Sequence, residues 1–246
     1  MLRPRIVPVL LIRDKGLVKT RQFTDGKYVG DPINAVKIFN EKEVDELTLF
    51  DIDATASGAV PDYDQLKNIA VESRMPLCYG GGITTARQAA EIIALGFEKV
   101  SVSAAALQRP ELVREMAEAV GRQSVVVTID IRREGLFGNH SVYSHNGRHK
   151  HKVKPLDFAA QVAWLGAGEI VINSIDRDGM MEGYDLKFAC QLRERVTVPL
   201  TFVGGAGKIE HMAELIDAVG TVGAAAGSMF VFKGIYRAVL ISYDRP

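Results

Sequence analysis

A chain of 246 residues with 47% apolar side chains could fold as two ordinary domains or as one large α/β barrel, and no Pro/Ser/Gly-rich or charge-dense stretch separates two cores. Its 30 Lys and Arg balance 30 Asp and Glu, which removes the basic footprint of a general nucleic-acid binder but leaves room for a locally basic site that takes anionic small molecules. Cys78 and Cys190 lack ligand-like spacing and read as buried, reduced thiols, and the apolar run 6–12 is too short for a signal-peptide core or a membrane span, so a soluble cytoplasmic protein is expected.

Eight short apolar runs follow in order. The first, 6–12, is preceded by Arg5 and followed by a basic connection, 14–31, that carries Lys15, Lys19, Arg21 and Lys27. The second, 47–52, starts after Glu46 and is trailed by Asp53; the third, 76–80, opens into Gly80-Gly81-Gly82. Residues 85–95 then show helical period, with Thr84 or Thr85 as N-cap and Gly96 as terminator. The fourth run, 99–103, starts at Lys99 and ends in Ser103-Ala104, and the fifth, 124–130, ends on Asp130. A second long connection, 132–154, holds Arg148, Lys150, Lys152 and Lys154 with His145, His149 and His151. The sixth run, 169–175, starts at Glu169 and precedes Asp176 and Asp178; the seventh, 199–203, leads to Gly204-Gly205, and the eighth, 221–226, to Gly227-Ser228. Near-continuous apolar strands are the mark of a parallel sheet covered on both faces. Strand then helix, repeated eight times, predicts a single (β/α)8 barrel of the TIM type over 1–246, with a doubly wound open sheet as the alternative.

An internal repeat favours the barrel. Sliding the chain by half its length carries Glu46 onto Glu169, Asp53 onto Asp176, Asp62 onto Asp185 and Gly81-Gly82 onto Gly204-Gly205 without a gap, which divides it into half-barrels near 1–120 and 121–246. Each half ends a strand in glycines and the next strand in small residues at a helix start, a pattern suited to a phosphate dianion, so two phosphate sites facing each other are expected. Either glycine pair alone is a turn more often than a site; the duplication is what argues for a ligand. Asp130, at the C-terminal end of its strand, is placed to act as general acid or base, whereas some of Asp51, Asp53, Asp176 and Asp178 must only hold loops. Arg5, Glu46, Lys99 and Glu169 stand at strand starts and can converge at the barrel's bottom, as a plug against water or as a gate for a small neutral molecule. The histidines lack carboxylate or Cys partners at ligand spacing and read as a solvated basic loop, so neither a metal nor a cofactor is expected.

With these residues in hand the chain resembles the cyclase subunit of imidazole glycerol phosphate synthase, of the glutamine amidotransferase group. The likeness runs over nearly the whole chain, through Arg5-Ile6-Val7-Pro8, Asp45-Glu46-Leu47, Gly80-Gly81-Gly82-Ile83, Lys99-Val100-Ser101, Ile129-Asp130, Ser174-Ile175-Asp176-Arg177-Asp178-Gly179 and Gly204-Gly205-Ala206-Gly207. The resemblance implies a barrel that closes an imidazole ring on a two-phosphate ribonucleotide, using ammonia from a glutaminase subunit docked at the N-terminal face of the barrel. It further implies that Gly81, Gly82, Ser103 and Ala104 hold one phosphate and Gly204, Gly205, Gly227 and Ser228 the other. Lys19 would lie on a substrate loop, Asp130 would be one catalytic aspartate with Asp178 in support, and Arg5, Glu46, Lys99 and Glu169 would gate the ammonia channel, with Glu98 at the glutaminase interface.

The second aspartate is replaced. Where the family reads Cys-Leu-Asp-Val this chain has Val9-Leu10-Leu11-Ile12, so Leu11 occupies an acid/base position and Asp14, three residues on, should not reach the same point. Ser103-Ala104 stands for a family Asn-Thr pair, and Met180-Met181-Glu182 for a polar stretch. Top-face changes beside an intact gate point to a paralogue that relays ammonia to a third enzyme for sugar amidination in surface-polysaccharide (lipopolysaccharide) biosynthesis. The alternatives are the histidine-pathway cyclase itself, a phosphoribosyl isomerase-like barrel, and a non-catalytic scaffold that activates a glutaminase.

Overall fold

The computed structural model describes residues 3–135 and 138–243. Eight parallel strands form the barrel wall: β1 (Arg5–Arg13), β2 (Leu47–Asp51), β3 (Leu77–Gly80), β4 (Lys99–Val102), β5 (Val125–Glu134), β6 (Glu169–Ser174), β7 (Leu200–Val203) and β8 (Gly223–Ala226). Each pairs with its neighbours in sequence order, and β8 pairs with β1, so the sheet closes with no free edge. The expected (β/α)8 barrel is therefore what the chain forms, with all eight expected runs as its staves.

Seven helices of nine to eleven residues cover the wall: α1 (Pro32–Glu41), α2 (Tyr63–Glu72), α3 (Ala86–Ala94), α4 (Leu112–Val120), α5 (Pro155–Leu165), α6 (Leu186–Arg195) and α7 (Ile209–Val219). Their starts follow local capping chemistry. Thr85 and Gln88 form a capping box at α3, and Asp62 and Asp185, equivalent in the repeat, each accept a backbone N–H at 3.0 Å to open α2 and α6. The main apolar core lies between strands and helices, from Leu10, Leu47 and Leu49 through Phe39, Ile69, Ile92 and Phe158.

The outer layer departs from the expected eightfold alternation. After β8 comes a four-residue helix, Ser228–Val231, and then a small hairpin in which Phe232–Lys233 pairs with Ala238–Val239, so among the described residues no full helix covers the eighth unit. Ile235 and Tyr236 at the hairpin tip are largely exposed. Both long connections are also more regular than loops. Gly16–Arg21 and Thr24–Gly30 form an antiparallel ribbon off β1, and Asn139–Ser144 with His149–Lys150 extends β5. Cys78 is buried as expected, but Cys190 is only partly so; its thiol approaches the Ala218 carbonyl at 3.7 Å. No helix among the described residues is long and apolar enough to cross a membrane.

Candidate functional site

Period-two alternation along each stave decides what faces the inside. On β6, Glu169, Val171 and Asn173 share the inner face, so one strand contributes to the bottom, middle and top of the bore. At the bottom, Arg5, Glu46, Lys99 and Glu169 close into a ring of alternating charge. Arg5 donates to Glu46 and, at 2.6 Å, to Glu169; Lys99 reaches Glu46 at 2.7 Å and Glu169 at 2.8 Å. Thr201 adds a hydroxyl donor to Glu169 at 2.5 Å. Burial alone would make Glu169 hard to ionise, yet Lys99 and Arg5 hold its carboxyl well below the usual range. Glu46 and Glu169 are about 5% exposed, so the ring seals the bore with each anion shared by both cations. Glu98, beside the ring, is exposed on the outer surface.

Above the ring lies a narrow apolar level of Cys78, Val126 and Val171, and over it Ser101 and Thr128 share a hydroxyl hydrogen bond of 2.7 Å. These two hydroxyls line an open cavity of about 150 Å³ at the C-terminal face. All eight residues expected to hold phosphates line it: Gly81, Gly82, Ser103 and Ala104 at the ends of β3 and β4, and Gly204, Gly205, Gly227 and Ser228 at the ends of β7 and β8. Gly82 (φ +68°) and Gly205 (φ +113°) have no room for a side chain, since a Cβ would fall 2.5 Å from the Ala59 carbonyl and 2.0 Å from that of Gly183. Ser103 Oγ is buried without a protein hydrogen-bond partner, a hydroxyl left for something in the cavity.

Strand order fixes the mutual placement. In a ring of eight, β3/β4 lies opposite β7/β8, and β1/β2 lies opposite β5/β6, so the two glycine cradles mark one diameter of the cavity and the remaining pairs mark the other. On the β5/β6 side Asp130 accepts a hydrogen bond from Asn173 at 3.1 Å. Burial pushes the Asp130 carboxyl up to about 7; the Asn173 bond opposes this and nearby Asp178 adds to it. The expected acid/base therefore stands at the cavity, poised to change protonation near neutrality.

On the facing side Leu11 and Phe50, paired across β1 and β2, are half-buried and pack, with Val203 of β7, over Val7, Val9 and Ala225, so Leu11 adjoins apolar neighbours, with Lys19 and Asp51 also lining the cavity. Asp14 is exposed in the turn after β1 and does not line the cavity, as the sequence spacing indicated. The other carboxylates separate by their partners. Asp53 binds Arg13 at 2.8 Å, and Asp176 accepts the Arg133 N–H at 2.5 Å; both hold loops. Asp51 lines the cavity but spends one oxygen on the backbone N–H groups of Asp53 and Ala54, and burial raises its carboxyl. Asp178 also lines the cavity and ties the β6 loop to the first ribbon through Thr20 at 2.6 Å and the Phe23 N–H at 3.1 Å.

The long connections reach the cavity as ordered ribbons. Lys19 is 4% exposed on the strand Gly16–Arg21 of the connection after β1, where it lines the cavity and donates to the Val9 carbonyl. Burial lowers its ammonium to about 8 against the attraction of Asp178. His145 likewise lines the cavity with Asn146, its imidazole against the Ser144 hydroxyl at 2.8 Å, instead of being solvated. His149 and His151 stay outside, with rings edge to face at 4.8 Å. Among the described residues no group of three or more His, Cys, Asp or Glu could hold a metal ion. Asn173, Phe50 and Val203 went unnoticed in the sequence, although the parity of Glu169 on β6 and of Glu46 before β2 would have placed the first two at the cavity.

Comparison with known proteins agrees with this architecture. The chain belongs to the histidine biosynthesis protein family, whose model matches residues 5–236. A Vibrio vulnificus protein provisionally named an imidazole glycerol phosphate synthase subunit is 56% identical, the alignment covering 100% of this chain and 95% of that one. One from Leptospira interrogans with the same provisional naming is 50% identical over 99% of this chain and 96% of its own. The imidazole glycerol phosphate synthase subunit HisF of Streptomyces coelicolor is 37% identical over 93% of this chain and 90% of its own.

Proposed function

Because the chain belongs to that family, we propose that it is the synthase-type barrel of a glutamine-dependent amidotransferase, resembling the cyclase subunit of imidazole glycerol phosphate synthase. In this reading a glutaminase subunit docks on the N-terminal face and delivers ammonia through the charged ring. The observation that carries it is the closed ring of Arg5, Glu46, Lys99 and Glu169 directly beneath a bore that opens on two opposed glycine cradles. A plug alone does not need four buried charges, since well-packed apolar residues seal as well and avoid the desolvation cost. Lys99 is the member able to leave, because both carboxylates would then still share Arg5, and the Ser101 and Thr128 hydroxyls offer hydrogen bonds to a neutral amine on its way up.

At the top the cradles would hold phosphates, with Lys19 supplying positive charge beside Gly227, where a Cβ would lie 2.6 Å from its Nζ. Asp130 would donate a proton below about pH 7 and accept one above it. Ring closure with both proton delivery and removal calls for a second group, and opposite Asp130, on β1 and β2, stand Leu11 and Phe50. We therefore propose a paralogue that passes ammonia to another acceptor, with sugar amidination in surface-polysaccharide assembly as the destination. The provisional naming of the relatives at 50% and above is compatible with this. The histidine-pathway cyclase is the second reading, favoured by the retained Asp130 and by the naming of the relatives at 37–39% identity.

Mixing the protein with the glutaminase subunit tests the assignment. A stable complex with stimulated glutamine hydrolysis, and ammonia delivery uncoupled from that hydrolysis in Lys99→Met with the complex intact, is the expected outcome. No complex and no stimulation would remove the amidotransferase assignment, and full delivery by Lys99→Met would remove the gate.

A further inference from the structure

We infer that the hairpin after β8 is the docking surface for an acidic partner protein that covers the C-terminal mouth of the cavity. The inference rests on the reading above, in which ammonia leaves the barrel for another acceptor.

The hairpin sits on the rim of that mouth. Gly227 and Ser228, which line the cavity, lead directly into the short helix before it. Lys27, paired across the first ribbon with the cavity residue Lys19, donates to the Arg237 carbonyl at 3.4 Å. Behind the hairpin runs a groove lined by Met181 from the connection after β6, Lys208 from the one after β7, and Phe232, Lys233 and Arg237.

Of the eight large apolar side chains that stand exposed among the described residues, four fall within six positions of this hairpin and its exit: Ile235, Tyr236, Val239 and Leu240. Scattered singly they would need no explanation; gathered on one protrusion they mark a contact surface. Ile235 and Tyr236, 87% and 89% exposed, bury too little to hold the fold together. The charge around them has one sign. Arg237 and Lys27 lie over the Phe232 ring at 4.6 and 5.2 Å, Lys233 and Lys208 flank the groove, and none of the four has an ion-pair partner among the described residues. Residues 227–243 contain no Asp or Glu.

A second copy of the chain would bring these cations face to face in a twofold contact. An acidic protein surface with an apolar socket meets both features, and Tyr and Arg are the residue types that anchor such contacts. An anionic lipid surface would match the charge but would close the mouth with lipid. Ammonia loosed into neutral water takes up a proton and ceases to be a nucleophile, so delivery to a separate acceptor calls for a protein over the mouth.

The photo-crosslinking amino acid p-benzoylphenylalanine at position 236 of the full chain, in cells that make the glutaminase subunit, tests this; the same insertion at position 71, exposed on α2, is the control. Position 236 is expected to capture one protein other than this chain and the glutaminase, through a peptide rich in Asp or Glu, and position 71 is not. Lys233→Glu should cut that adduct at least tenfold, with Arg237→Glu as the second reversal. The captured protein, purified and mixed with the barrel and glutaminase, should take up nitrogen from amide-labelled glutamine, and Lys233→Glu should lower that uptake without lowering glutamine hydrolysis. Adducts with lipid or with this chain alone, a contact peptide without acids, an adduct indifferent to both reversals, or no adduct overturns the inference. An acidic partner that takes up no nitrogen supports the docking surface and overturns the ammonia-relay reading.

Discussion

The two ends of the bore are built from the same eight strands and treat charge in opposite ways. At the bottom, β1, β4 and β6 with the residue before β2 supply two cations and two anions, each with two partners of opposite sign. At the top, β5 supplies one carboxylate, its neighbour on β6 is an amide, and the facing strands supply Leu11 and Phe50. A buried charge with no opposite partner shifts toward its neutral form, which is why Glu169 stays ionised in its ring while Asp130 is pushed to about 7. The bottom is a device that requires all four members; the top has the form of a binding chamber in which Asp130 lacks a partner of opposite charge at hydrogen-bond distance.

The comparison can be broken most forcefully at Lys99. Lys99→Met leaves Glu46 and Glu169 to share Arg5 alone, and breaking a buried charge set in this way costs about 3–5 kcal/mol, measurable by urea denaturation. A change under 1 kcal/mol would mean that the ring is hydrated and not a seal. At the top, Leu11→Asp restores a second acid/base opposite Asp130. If the rest of the chamber suits the histidine-pathway ribonucleotide, ammonium-dependent turnover should rise ~10²–10⁴-fold; an unchanged rate would show that the chamber as a whole, not one side chain, sets the chemistry.

Asp130→Asn sharpens the contrast through pH. Since the folded carboxyl titrates near 7 against an ordinary 3.8, the unfolded chain gives up this proton first, and stability falls as pH rises through that window. At about 1.4 kcal/mol per unit, the loss amounts to a few kcal/mol. The amide should flatten that part of the stability–pH curve, whereas an unaltered curve would mean that Asp130 is solvated. The smallest effect tests the repeat beneath both ends: Asp62→Ala should cost about 1 kcal/mol through its lost N-cap, with no change in ligand binding.

Much of this was legible in the residues. The apolar runs mark all eight staves because strands buried on both faces carry an unmistakable signal, and the repeat anticipates the paired caps Asp62 and Asp185 and the paired glycines Gly82 and Gly205. What escaped depends on tertiary context. The full burial of Lys19 is not legible locally, because nothing in the sequence shows that the ribbon after β1 folds over the cavity. That a hairpin, not a full helix, follows β8 among the described residues had a weaker sign, Gly234 within a segment lacking helical period, which the regularity of the preceding seven units obscured. Leu11 was visible as a substitution, but its apolar surroundings needed the pairing with Phe50 across β1 and β2, which only the closed barrel shows.

The most direct measurement is steady-state turnover of the histidine-pathway ribonucleotide by the unaltered protein with saturating ammonium salt, which bypasses the glutaminase. The account predicts no cyclisation from a protein that nevertheless stimulates the glutaminase. Turnover at a rate matching the histidine-pathway relatives would contradict it, because a chamber with Leu11 opposite Asp130 would then be supplying both proton transfers.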